Sequence, residues 1–250
     1  MRKALLLILA ALFMFSLAGL TAAQDATPLT LGEAVEGEIT DDEFEILYSF
    51  EGSAGEVALI QMWQSPDASE YVDTELILQG PDGRDIASGP GDPALYSQAT
   101  IALELPEDGT YTIIATRYEG RTGDSVGPFV LVANIVEPLV AGSKVDATIY
   151  GYDSDLRTVP QQYVVQGSGA TKISLSQEID DLFPDLKLYP WIDGEEYSAP
   201  LFTLEDTSKV SSAVVSVELE EGTLYVLTVR DSFSSSVYDD SEKTVTITVG

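Results

Sequence analysis

One pattern occurs twice in this chain, and it restricts the folds open to it more than any other feature. The first copy runs from Leu31-Gly32 to Ile135 and carries Leu105-Pro106-Glu107-Asp108-Gly109-Thr110-Tyr111 near its end. The second runs from Ala141-Gly142 to Val249 and carries Leu219-Glu220-Glu221-Gly222-Thr223-Leu224-Tyr225 at the matching place. Gly32 and Gly142, like Gly109 and Gly222, stand roughly 110 residues apart, the length of one small domain rather than of a solenoid unit. The chain reads as a tandem pair, and each member must build its own core.

The local pattern says what kind of core. In Thr244-Val245-Thr246-Ile247-Thr248-Val249 the apolar side chains point one way and the threonines the other, and Lys172 to Ser176 and Ile101 to Leu105 behave likewise. A period of two is the mark of half-buried antiparallel strands. Further strands are expected over 44–50, 56–63, 75–78, 111–117 and 129–135 in the first copy. In the second they are expected over 144–150, 162–166, 185–188, 214–219 and 224–230. Gly52-Ser53-Ala54-Gly55, Pro81-Asp82-Gly83, Glu107-Asp108-Gly109, Ser168-Gly169 and Asp193-Gly194 supply the turns between them. Seven or eight short strands per copy, with no amphipathic helix, predict an all-β chain of two tandem jelly-roll-like antiparallel β-sandwiches. The expected layout is a signal peptide over 1–23, a first sandwich over 28–136 and a second over 139–250. The short link at Val136-Glu137-Pro138 should restrict how the two are oriented.

A set of residues in the first copy carries a resemblance. Leu31-Gly32 with Gly37, Tyr48 to Gly52 leading into Ala54-Gly55-Glu56-Val57, Asp73 before Glu75 to Leu78, Pro81-Asp82-Gly83, and Leu105 to Ile113 together resemble the bacterial pre-peptidase C-terminal (PPC) domain. The second copy keeps Gly142, Tyr163 to Gly167, Ile173 to Leu175, Asp185 to Leu188, Asp193-Gly194 and the Gly222-Thr223 turn before Tyr225. It lacks the Pro-Asp-Gly turn and has Leu224 inserted before the tyrosine, so it resembles the family less closely. The resemblance implies a non-catalytic jelly-roll-like sandwich of the kind that accompanies secreted enzymes. Independently of it, Glu107-x-Gly109-x-Tyr111 has the spacing of a tyrosine corner, in which the hydroxyl bonds back to the backbone at the sandwich edge. Asp73 and Asp185, just ahead of matching strands, read as turn caps.

Composition narrows the function. Met1-Arg2-Lys3, an apolar run from Ala4 to Leu20 and then Thr21-Ala22-Ala23 have the form of a secretory signal peptide cleaved after Ala23. No later stretch approaches a membrane span. With 12 basic and 42 acidic residues the formal charge is −30. A surface so acidic repels nucleic acid and anionic lipid, both of which need a basic patch. The chain has no cysteine, so no disulfide supports it outside the cell, and no histidine. Ser-His-Asp and Cys-His nucleophiles, His-ligated zinc and the histidine pH switch are excluded. Asp73-Thr74-Glu75 and Asp153-Ser154-Asp155 both fail the Asp-Thr/Ser-Gly pattern of an aspartic-protease dyad. The expectation is a protein that is not an enzyme.

What remains is binding. Trp63, in phase with Val57 and Leu59, reads as packing ahead of a ligand platform, whereas Trp191, beside a glycine turn, reads as more exposed and is a candidate for ligand binding. Acidic loops recur after the first strand of each copy and make Asp41, Asp42, Asp153 and Asp155 candidate metal ligands, with Ca²⁺ the cofactor they suit, although neither loop has the twelve-residue calcium pattern. A solvated turn is the plainer reading of both. The reading of the whole is a secreted, non-catalytic tandem binding or accessory protein for an extracellular protein or polysaccharide. The alternative is a structural or adhesion module of the cell envelope, stiffened by calcium.

Overall fold

Alternating sequences become pleated strands whose apolar faces must meet, and here they meet as four leaves, two of them joined in one nine-stranded sheet. The computed structural model describes residues 25–65, 71–92, 98–150, 161–176, 184–193, 200–205, 211–231 and 242–250. The first half holds β1 (Thr27–Pro28), β2 (Val35–Ile39), β3 (Glu45–Gly52), β4 (Val57–Gln64), β5 (Thr74–Gln79), β6 (Asp85–Asp92), β7 (Gln98–Glu104), β8 (Gly109–Arg117) and β9 (Gly127–Val136). The second holds β10 (Lys144–Tyr150), β11 (Gln161–Gln166), β12 (Gly169–Ser176), β13 (Pro184–Pro190), β14 (Phe202–Glu205), β15 (Ser212–Leu219), β16 (Leu224–Asp231) and β17 (Glu242–Val249). The only helical turn among the described residues is a 3-10 turn at Gly120–Thr122. The signal segment, Asp153 and Asp155 lie outside the described residues.

Both halves use one strand order. In the first, β3-β8-β5-β6 form one leaf and β7-β4-β9-β2 the other; in the second, β11-β16-β13-β14 and β15-β12-β17-β10 repeat that order strand for strand. The repeated sequence pattern thus corresponds to a repeated topology. One difference separates the halves. β6 pairs with β5 from Glu75↔Pro90 to Gln79↔Asp85 and then reaches the other leaf through Gly91↔Ala99 and Asp92↔Gln98. The described part of β14 pairs only with β13. Every strand pair except the short β1–β3 contact is antiparallel.

Each pair of leaves closes on its own core. Phe50 stacks on Tyr111 at 5.5 Å between ring centroids, and Tyr48 meets Phe129 edge-on at 6.5 Å. Ile60, Met62, Leu76, Ile113 and Leu131 fill the space around them, fully buried. In the second half Ile173, Leu175, Leu186, Leu188, Leu227, Val245 and Ile247 do the same. The Tyr111 hydroxyl donates to the Glu107 carbonyl at 2.6 Å and accepts the Glu107 N–H at 3.3 Å, closing the corner expected from the spacing. Tyr225 accepts the Glu220 N–H at 2.8 Å in the equivalent turn.

Two strands break the period of two. Val57 to Ile60 are all buried, as are Tyr225 to Val229, although each strand has one face on a core. Their other faces are buried as well, because the two sandwiches stack. The outer face of β4 and β7 carries Val57, Leu59 and Ala102; it packs against Val164 and Val226 on the outer face of β11 and β16. Four leaves therefore lie in layers, and the seam between the middle two is where the candidate site forms.

Candidate functional site

Strand phase decides which side chains enter the seam. Val57, Leu59, Gln61 and Trp63 share the outer face of β4, as Thr100 and Ala102 share that of β7, through Leu59↔Ala102 and Gln61↔Thr100. One end of the seam is apolar, with Val136 and Leu224 packed against Val57, Leu59, Ala102, Val164 and Val226. The middle is polar. Gln61 Nε2 donates to Gln162 Oε1 at 3.0 Å, and Thr100 Oγ1 donates to the same oxygen at 2.9 Å. Polar groups so placed must be paired to be buried, and their pairing fixes the alignment of the sheets more sharply than apolar contact alone.

Trp191 closes one side. It is half-buried, packs against both the first core and the seam cluster, and its Nε1 points at the Thr100 carbonyl at 3.5 Å. Two residues on, Asp193 Oδ1 accepts the Ser88 N–H of β6 at 2.7 Å. The glycine turn beside Trp191 suggested a more exposed side chain; the first sandwich covers part of Trp191 and leaves it half-buried, as Trp63 is.

On the other side the seam opens. β11 is the edge strand of its leaf, and beyond that edge no described sheet covers the outer faces of β4 and β9. The result is a cleft of about 380 Å³, within the range of small-molecule sites. Gln61, Trp63, Val132 and Asn134 form its floor, and Gln161 and Tyr163 stand in its wall. Glu137 and Leu139 of the link border it, with Leu139 bridged to Val165. Trp63 is half-buried. Burial raises the Tyr163 phenol above its usual pKa. Gln98, one residue beyond the Met62↔Ala99 pair, is 2% exposed, and neither of its amide atoms has a hydrogen-bond partner among the described residues.

The acidic loop of the first half is built differently from a metal site. Asp41 Oδ1 accepts from Arg117 Nη1 at 3.1 Å, so a buried guanidinium already supplies its counter-charge. Arg117 also donates to the Gly120 and Ser125 carbonyls, and its guanidinium lies 5.5 Å from the centre of the Phe44 ring. Asp42 is exposed at the loop tip. Among the described residues no three acidic side chains converge as a metal would require. Of the two aspartates read as caps, Asp73 N–H donates to Ser125 Oγ at 3.1 Å, while Asp185 is 2% exposed with Lys187 Nζ at 4.0 Å.

Sequence reasoning had both tryptophans in view but not the cleft. The floor belongs to one sandwich and the wall to the other, and no local pattern reports how two domains stack. The one signal available was the unbroken apolar run Val57-Ala58-Leu59-Ile60, which is too hydrophobic for a strand with a solvated face.

No protein-family model matches the chain, and a search of curated proteins finds no match. Among solved structures, it is similar to the pre-peptidase C-terminal domain of a collagenase from Bacillus anthracis, at 12% identity and TM-score 0.36, covering 44% of this chain and 95% of that one. It is also similar to the tandem CBM51 modules of a family 98 glycoside hydrolase from Streptococcus pneumoniae, at 12% identity and TM-score 0.26, covering 88% and 83%. A third is the N-terminal CBM22-1-CBM22-2 tandem of Xyn10C from Paenibacillus barcinonensis, at 9% identity and TM-score 0.24, covering 88% and 91%.

Proposed function

We propose that the chain is an exported, non-catalytic binding protein whose seam cleft holds a stretch of neutral polysaccharide. The observation that carries this is the lining of the cleft: the half-buried Trp63, a neutral phenol at Tyr163, and the carboxamides of Asn134, Gln161 and Gln61. Sugar rings present C–H faces that pack on aromatic rings, and hydroxyls that both donate and accept. Carboxamides answer hydroxyls in both senses, whereas carboxylates only accept. Glu137 at the rim and the charge of −30 oppose uronic-acid and sulfated polymers. Export follows from the N-terminal segment, and the secreted form should begin at Gln24 by intact mass.

Retention on neutral polymers (cellulose, xylan, chitin, starch) against anionic ones (pectate, alginate) tests the reading. At least one neutral polymer should retain the wild type, and no anionic polymer should. Trp63→Ala should weaken that retention about 30-fold or more, since truncating an aromatic anchor costs on the order of 2 kcal/mol. An unchanged melting temperature would show that the variant is folded. Full retention of Trp63→Ala, or a preference for the anionic polymers, would overturn the proposal.

A further inference from the structure

The floor of the cleft changes character along β4 and β9. The register Trp63↔Val130, Gln61↔Val132 and Leu59↔Asn134 orders it from an aromatic end to an aliphatic one. Trp63 and the Leu59↔Asn134 pair lie about 13 Å apart along the strand. At the aliphatic end β9 turns Val132, Asn134 and Val136 to one face, so a single carboxamide stands between two half-buried valines. Leu59, opposite it, is 3% exposed and closes the floor, and half-buried Leu139 of the link borders the same cleft.

Asn134 is the only asparagine in a chain with 42 acidic residues, so the floor carries a neutral amide where much of the sequence carries carboxylates. Neither Asn134 nor Gln161 of the wall makes a hydrogen bond with another described residue. A carboxamide framed by aliphatic side chains matches an acetamido group, whose N–H and C=O pair with amides and whose methyl needs an apolar wall. A trans amide points its N–H and C=O in opposite directions, and Asn134 on the floor and Gln161 in the wall offer one partner to each. Sugars bearing hydroxyls alone would satisfy the carboxamides but set polar groups against the valines. O-acetyl and deoxy sugars would bring a methyl without the N–H.

We infer that the polymer held in the cleft is built of acetamido sugars, and that Asn134 reads the acetamido group. Its N–H donates to Asn134 Oδ1, its C=O accepts from the Gln161 carboxamide, and its methyl packs on Val132, Val136 and Leu139. This rests on the proposed binding of neutral polysaccharide and narrows it to one class. The acetamido group is uncharged, as a ligand beside Glu137 in a chain of −30 has to be if it is not to be repelled. Because Trp63 lies well along the strand from Asn134, the sugar stacked on the indole and the sugar whose acetamido group is read are different units of one chain.

Calorimetric titration of the mature chain tests it, with linear oligomers of N-acetylglucosamine and of glucose that share length and linkage and differ in one substituent per ring. The N-acetylated oligomer should bind ~30-fold or more tightly than the glucose oligomer, since it adds a buried methyl and a second paired polar group. Asn134→Ala should bring that ratio close to one. Val132→Thr, which keeps the shape of the wall and makes it polar, should lower the ratio as well, and unchanged melting temperatures would show that both variants are folded. If the N-acetylated oligomer binds no better than the glucose oligomer, the inference is overturned, while retention on any neutral polymer still upholds the polysaccharide proposal; retention on none overturns both. A preference that survives in both variants also overturns the inference, because the acetamido group is then read elsewhere.

Discussion

Gly89→Ala should lower the melting temperature by roughly 10 to 20 °C. Gly89 lies on β6 just before that strand passes from one leaf to the other, opposite Leu76. A Cβ there would collide with the Thr100 carbonyl oxygen and sit 2.9 Å from its carbon and 3.2 Å from Ile101 Cγ1. The obstacle is the backbone of β7, which cannot rotate aside as a side chain would. Overpacking a rigid site costs about 3 kcal/mol, and each kcal/mol is worth about 4 to 8 °C in a unit of this size. Gly55→Ala is the control. Its Cβ would meet nothing within 4 Å, but its φ of +84° belongs to the left-handed region, so a loss of about 1 kcal/mol is expected. Thermal melts of the two variants should differ clearly; equal shifts would mean that β6 is free to move off β7.

Arg117→Met should cost nearly as much. Arg117 is 3% exposed, and its guanidinium ties the 40–44 loop to the 118–126 loop through Asp41, the Gly120 carbonyl at 2.8 Å and the Ser125 carbonyl at 3.2 Å. Methionine keeps much of the stem's volume but leaves both carbonyls without their donor, a loss of about 2 to 4 kcal/mol. Asp41→Asn should cost under about 1 kcal/mol, because that carboxylate is 83% exposed and water takes up its charge. The asymmetry is the test. If Asp41→Asn proved as damaging as Arg117→Met, the ion pair rather than the two carbonyl contacts would be what holds the loops.

These positions also show where the sequence could and could not be read. Strand β10 runs over the residues its alternation marks out, 144–150, and Tyr111 closes its turn as its spacing requires, because both depend on neighbours in sequence. β6 was not legible. Ser88-Gly89-Pro90-Gly91 has the composition of a turn, and it forms a strand because a backbone pressed on Thr100 admits no side chain at Gly89. β4 and β16 departed from alternation because a second sandwich buries their outer faces. For the same reason the first sandwich covers part of Trp191, and Trp63, in phase with Val57 and Leu59, also borders a cleft. Patterns with a period of two report which face of a strand is apolar, not whether that apolar face meets its own core or another domain.

The chain holds two tryptophans, and this makes the cleft directly measurable. In Trp191→Phe the emission comes from Trp63 alone. Titrating that variant with oligosaccharides of the retained neutral polymer should shift and saturate the emission, with the affinity that calorimetry gives for the wild type. The same titration of Trp63→Phe, which reports from Trp191 in the covered part of the seam, should leave the emission unchanged. If Trp191→Phe still binds the oligosaccharide while its Trp63 emission does not respond, the sugar sits elsewhere and the seam cleft is not the binding site.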